Sequence, residues 1–286
     1  MSGDQLLVPV ANPETADRLL DTAIDIASDR DLEILVLTVV TVPMQLSLTQ
    51  ARDSLEIDES EALVEDVVER ARGYGLEATG RIRFGRDVAS GICGVATESN
   101  AEVILLGWRG RPRRRDVVLG SYIDEVLSDA PCDVLVKRID RDRTDVSSIL
   151  VPVAGGPHTE FAASVAGSLA RSHDARIELL TVVPDRTEET ISDARAMLTR
   201  TSSMLGAVES VEETALEGSV VETIVERTAA HDVTVLGAAE GGFLQRALVG
   251  DVPETVGREA ESAVIMAKRR QDIPETVIRR LRNRLS

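Results

Sequence analysis

The chain has 286 residues, room for two domains of ordinary size, and is 43% apolar but only 2% aromatic, so its cores must be built from Val, Leu, Ile and Ala. A formal charge of −17 disfavours general nucleic-acid binding, whose usual footprint is a basic face. No apolar run is long enough to span a bilayer, and Met-Ser-Gly-Asp-Gln ahead of Leu6 is no signal peptide, so a cytoplasmic location is expected.

In chain order, Leu6 to Val10 reads as a short apolar strand, and Glu14 to Asp29 as a helix with Leu19, Leu20, Ala23, Ile24 and Ala27 on one face. Leu32 to Val40 is a second, continuous apolar strand. Ser60 to Arg72 is a helix, stopped by Gly73 and Gly75. Leu76 to Phe84 is more polar, as expected at a sheet edge. Val88 to Glu98 is helical, and Val103 to Leu106 is a buried strand. A glycine-punctuated loop, a short helix from Ser121 to Ala130 and the strand Asp133 to Lys137 complete the set. Strands alternating with helices predict a parallel sheet. Cys93 falls in a helix and Cys132 at a strand start; both read as reduced packing residues without metal-ligand spacing.

The pattern then restarts. Ile149-Leu150-Val151-Pro152-Val153-Ala154 repeats Leu6-Leu7-Val8-Pro9-Val10-Ala11, and Leu179 to Val183 repeats Val36 to Val40. Val233 to Gly237 repeats Val103 to Gly107, and Ala263 to Lys268 parallels Asp133 to Lys137. Four elements recur in order at a period far above that of a solenoid, so the chain is a duplicated domain. The expected layout is residues 1–140, residues 147–270 and a tail at 271–286, with the charged segment Arg138 to Ser147 between the two copies.

The most informative stretch is Gly107-Trp108-Arg109-Gly110, then nine residues, then Gly120-Ser121. A strand ends, glycines let the backbone come close to a ligand, and a helix opens with free N–H donors and the positive end of its dipole. That combination suits an anion, most naturally phosphate. Three glycines and a capping serine equally serve an ordinary loop.

The spacing G-x-x-G-(nine)-G-S after Leu-Leu-Gly, with Leu7-Val8-Pro9-Val10 before it and Ala130-Pro131-Cys132-Asp133-Val134-Leu135-Val136 after it, resembles the universal stress protein family. The acidic, lysine-poor composition, with lysine only at Lys137 and Lys268, suggests the archaeal, halophile-like two-domain form. The resemblance implies two α/β domains, each a Rossmann-like five-stranded parallel sheet of order 3-2-1-4-5. Its ligand crevice would lie at the carboxyl ends of strands 1 and 4. It also implies an intramolecular pseudo-dimer in which the fifth strands of the two halves pair, with a further homodimer open. The ligand implied is ATP or another adenine nucleotide, with or without Mg²⁺. Phosphates would meet Gly107, Gly110, Gly120, Ser121 and the N–H of Tyr122; adenine would lie against Val10, Ala11 and Val39. Where the family commonly has Asp this chain has Ala11, and losing one hydrogen bond weakens binding by roughly 0.5–1.5 kcal/mol.

The second half departs further. It reads Gly237-Ala238-Ala239-Glu240, nine residues, then Gly250-Asp251, so two carboxylates replace a glycine and the serine. Like charges in a partly desolvated crevice exclude a phosphate, although Asp251 is also a good helix N-cap. The expectation is one nucleotide site, in the first half.

Other residues carry less. Arg109, Arg111, Arg113, Arg114 and Arg115 crowd one loop; one or two suit phosphate, and the bland reading is a solvated segment. Trp108 reads either as a base-stacking residue or as a cover for the crevice. His158, His173 and His231 show no metal or triad spacing, and a capping or surface role is expected for His158. The tail from Asp272 to Ser286 reads as a basic amphipathic helix that docks on protein. No G-x-S-x-G elbow, Walker A loop or catalytic base is present, so an enzyme is not expected. The rival to nucleotide binding is an interaction module, similar to the universal stress regions fused to some amino-acid transporters and acting as a stand-alone transporter regulator.

Overall fold

A computed structural model describes residues 4–47, 57–110, 121–140, 145–238 and 251–270. The first half runs β1 (Gln5–Pro9), α1 (Pro13–Arg30), β2 (Glu33–Thr41), α2 (Asp58–Gly73), β3 (Ala78–Gly85), α3 (Val88–Ser99), β4 (Ala101–Trp108), α4 (Ser121–Asp129) and β5 (Asp133–Arg138). The second runs β6 (Ser148–Pro152), α5 (Gly156–His173), β7 (Arg176–Val183), α6 (Glu188–Ser203), β8 (Val211–Glu217), α7 (Val220–Thr228), β9 (Val233–Gly237), α8 (Asp251–Glu259) and β10 (Ala263–Lys268).

All ten strands form one sheet in the order β3-β2-β1-β4-β5-β10-β9-β6-β7-β8. Each half therefore has the order 3-2-1-4-5 expected from the sequence, and pairing within each half is parallel. The halves join where β5 meets β10 antiparallel, Val136 facing Met266 and Leu135 facing Ala267. Two apolar fifth strands thus remove each other's exposed edge.

Successive strand residues point to opposite faces, so each strand feeds two cores. Leu6 and Val8 join Leu19, Val67, Phe161 and Leu198 on the face covered by α1, α2, α5 and α6. Leu7 joins Ile92, Val126, Ile224 and Val256 on the face of α3, α4, α7 and α8. Both cores run through both halves, which welds the duplicated units into one body.

Local chemistry sets the boundaries. Asn12 is extended and its side chain accepts from the Thr15 N–H at 2.9 Å, with Pro13 opening α1 behind it. Asp87 caps α3 through the N–H groups of Ala89 and Ser90. Asp31, Asn100 and Asp174 end their helices in the left-handed region, where short polar side chains are tolerated.

The junction carries a set of charged contacts between the halves. Arg171 grips Asp29 with two bonds of 2.6 and 2.7 Å between α5 and α1, and holds that carboxyl below its ordinary range. Arg30 donates to Ser164 and Ser168, and His173 meets Asp25 at 2.9 Å. Burial raises the Asp25 carboxyl above its ordinary value, with the His173 bond pulling the other way. The Phe161 ring lies 5.8 Å from both the Arg30 and the Arg269 guanidinium. Arg138, expected to open the linker, instead closes β5 and is buried: four carbonyls behind α8 attract it inward.

Candidate functional site: a crevice at the carboxyl ends of the strands

In both halves the first strand ends the same way. The Val10 N–H donates to Leu37 O at 2.8 Å and its carbonyl accepts from Thr38 Oγ1 at 3.0 Å. Val153 repeats both bonds with Leu180 O and Thr181 Oγ1, at 2.8 and 3.1 Å. Val10 buries its side chain in the α1 core, and Val39 packs its own on Gly91 of α3. Neither valine aims its side chain between the strand ends, so only backbone there could meet a base. Ala11 is exposed at the mouth.

The halves diverge one residue later. After Ala11 comes extended Asn12, and the first turn of α1 meets Gly107 of β4 through the Thr15 side chain. A Cβ built on Gly107 would meet only side-chain atoms, of Ile139 and Thr15, at 3.3 Å, and no backbone nearer. After Ala154 come Gly155 and Gly156 at φ +82 and +76°, a path that glycine takes without strain. That path drives α5 onto β9: a Cβ on Gly237 would lie 2.6 Å from the His158 carbonyl carbon and 2.7 Å from Thr159 N. Beside Gly237 the neighbour is therefore the backbone of α5's first turn, where beside Gly107 it is side-chain ends. Sequence reading missed this closure, although Gly155-Gly156-Pro157 in place of Asn12-Pro13 was its signal.

His158 corrects one expectation. It is 3% exposed, and its Nδ1 accepts from the Arg269 backbone N–H at 3.0 Å. It is neither a surface residue nor a cap of its own helix, because α5 is pressed against the sheet and its N-cap, Gly155, has no side-chain bond.

Trp108 corrects another. It is the last residue of β4, is 2% exposed, and packs its benzo edge at Gly257 of α8, 3.1 Å from where a Cβ would stand. The ring belongs to the junction and neither stacks on a base nor covers the crevice. Its Nε1 has no hydrogen-bond partner among the described residues.

At the loop mouth, Gly110 adopts φ +69° and turns toward Asp140, whose Oδ2 would lie 3.0 Å from an added Cβ. Arg109 reaches Glu14 at the start of α1, 2.9 Å away, with both partners exposed. Tyr122 donates its hydroxyl to Gly107 O at 3.3 Å, and burial raises its phenol above the ordinary value. Helix α4 begins at Ser121, on the same side of the sheet ends. Val10, Ala11, Gly107, Gly110 and Tyr122 therefore surround one region, with Val39 behind it. Gly120, the arginines at 111 and 113–115, Glu240 and the tail lie outside the described residues, as does the side chain of Ser121.

The model of the universal stress protein family matches this chain twice, over residues 4–138 and 146–268. The chain belongs to that family. The two matches meet the two halves of the sheet, so this is a tandem universal stress protein. A Na⁺/H⁺ antiporter of Synechocystis sp., NhaS5, is 25% identical over 267 residues, 91% of this chain and 38% of the antiporter. The chain thus spans well under half the length of that relative. Among solved structures, a universal stress protein from Archaeoglobus fulgidus superposes with a TM-score of 0.71 at 18% identity, covering 95% of this chain and 98% of that one. The cytoplasmic domain of a prokaryotic cation chloride cotransporter superposes with a TM-score of 0.64 at 13% identity, covering 92% and 95%. These structures share the fold. No described helix is long and apolar enough to cross a membrane.

A second buried polar cluster separates the halves of this tandem protein. Glu178 on β7 meets Arg227 Nε at 2.8 Å and His231 Nε2 at 3.0 Å. Burial opposes its ionisation, but the bonds from His231, Arg227 and Thr214 outweigh burial and hold the carboxyl at about 2. The matching residue of the first half is Leu35, because Leu7 faces Leu35 as Leu150 faces Glu178.

Proposed function

We propose that this protein is a regulatory adenine-nucleotide-binding protein and that its first half holds the nucleotide. The observation that carries the reading is the unequal pair of crevices: Gly107 is ringed by side-chain ends, whereas Gly237 is blocked by the backbone of His158 and Thr159. The residues of the first crevice fit the ligand. Exposed backbone at Ala11 offers hydrogen bonds to a base, and Gly110 at φ +69° lets the loop backbone turn toward a phosphate. The opening of α4 supplies further N–H donors at Ser121 and Tyr122, with Gly120 before them. Arg109 stands at the mouth, paired with Glu14. ATP, with or without Mg²⁺, acts here as a ligand that biases partner choice and not as a substrate turned over.

Calorimetric titration with ATP and Mg²⁺ tests this, beside Gly110→Glu/Ser121→Asp, which writes the second half's loop into the first. One site per chain, lost in the double variant and weakened in Ser121→Asp alone, is the expected result. Silence in the unaltered protein would overturn the reading.

The identity to the antiporter across most of this chain favours a second reading, that of a module regulating a membrane transporter. Its test is co-sedimentation with membrane vesicles containing such a transporter. Binding that is indifferent to ATP would favour the second reading over the first.

A further inference from the structure

The loop at the open crevice is physically attached to the opposite half. Trp108, the chain's only tryptophan, directly precedes Arg109 and Gly110 and inserts at Gly257 of α8. Gly110 turns toward the Asp140 carboxylate, and Asp140 pairs with Arg138 Nε at 3.2 Å. The Arg138 guanidinium then spans the end of α8. It donates to Gly257 O at 2.6 Å and Arg258 O at 3.5 Å from one nitrogen, and to Ala260 O at 2.9 Å and Ser262 O at 2.7 Å from the other. Those carbonyls are the orphans that every helix leaves at its end, and a buried cation there also meets the negative end of the dipole.

The return connection is thinner. Asp133 pairs with Val103 as Ala263 pairs with Val233, so along the two strands Lys268 matches Arg138. Lys268 Nζ donates to Leu127 O of α4, the position matching Gly257. A single ammonium does there what a forked, four-carbonyl guanidinium does on the other side. In Trp108's place the second half has Ala238, and in Gly257's place the first has Leu127.

We propose that occupancy of the first half's loop is transmitted to helix α8 of the second half, through Trp108 against Gly257 and through the Gly110–Asp140–Arg138 chain. The proposal rests on the reading of that loop as an anion site and goes beyond it: the half with the closed crevice becomes the responding half. A ligand that draws the Gly110 backbone toward itself shifts the balance between Asp140 and the α8 carbonyls for Arg138. Such a differential contact is what coupling between sites requires. Asp140 and Arg138 are positioning residues here.

Hydrogen–deuterium exchange on the full chain with and without ATP·Mg, run beside a calorimetric titration of the same sample, tests it. ATP is expected to slow exchange across residues 251–262 by about fivefold or more. In Asp140→Asn, ATP still binds but slows that segment by less than about twofold. Binding with protection confined to the first half would overturn the coupling and leave the nucleotide reading intact. A ligand-free arm separates the two ideas. Gly110→Ala places a Cβ 3.0 Å from Asp140 Oδ2 at a positive φ and is expected to speed exchange across 251–262. If the titration is silent, the nucleotide reading fails and this arm alone decides the coupling. No change at 251–262 in Gly110→Ala overturns it.

Discussion

The two halves of this protein share a sheet order, a strand-end hydrogen-bond pattern and two continuous cores, yet the glycine near the end of the fourth strand meets side-chain ends in one half and helix backbone in the other. The divergence lies in two residues after the first strand of each half. After extended Asn12, α1 meets Gly107 of β4 through the Thr15 side chain, whereas after Gly155-Gly156 at positive φ, α5 meets Gly237 of β9 through its backbone. Backbone packed on backbone at Gly237 leaves no volume for a ligand beside that strand end.

The comparison can be broken most forcefully at the junction. Arg138→Leu leaves four carbonyls behind α8 without their buried donor, and one orphaned group alone costs about 1–3 kcal/mol. A loss of about 4 kcal/mol in a denaturant titration is expected, given partial rehydration. A loss below about 1 kcal/mol would show that the guanidinium adds little to the junction.

Next in size is Glu178, whose counterpart is Leu35. Its folded carboxyl lies at about 2 against an ordinary 4.5. A depressed carboxylate stabilises the fold above its unfolded value and loses that contribution as pH falls through the folded one. Glu178→Gln should therefore cost on the order of 3 kcal/mol at neutral pH, a gap that narrows between pH 4.5 and about 2. Paired denaturation curves at pH 7 and at pH near 3 check this; a gap that does not change would contradict the ionic reading.

The closure itself is tested by adding one methyl group to each half. Gly237→Ala places a Cβ 2.6 Å from backbone and should cost about 1–3 kcal/mol, the usual range for overpacking. Gly107→Ala meets only side-chain ends at 3.3 Å and should cost less than about 1 kcal/mol. Equal melting shifts would mean that the two crevices are alike after all. A comparably small effect is expected from Lys268→Leu, which removes a cation from one helix end, about 1 kcal/mol by thermal melting. A cost matching that of Arg138→Leu would erase the asymmetry between the two connections.

Much of this was readable from residues in a row. The repeat and most helices follow from periodicity and capping residues, the strand order from the family resemblance, and the boundary shifts are a few residues at strand ends, as at β4, which runs from Ala101 to Trp108. Val10, Ala11, Gly107, Gly110 and Tyr122 were gathered from positions far apart by the topology that the resemblance implied, and the sheet brings them to one end. Trp108, His158 and Arg138 were misplaced because each takes its role from an element distant in sequence: α8, the end of β10 and the α8 carbonyls.

The sequence alone determined the duplication, the α/β alternation, the family and the exchange of Ser121 for Asp251 at the matching position of the second half, since each is written in local pattern and spacing. The tertiary structure alone decided that one crevice is shut, that the single tryptophan is a junction residue and that an arginine spans the end of the opposite half's helix. These depend on distances between segments far apart in the sequence. Such distances are set by how helices seat on a shared sheet, a property of the packed whole that no window of the chain contains.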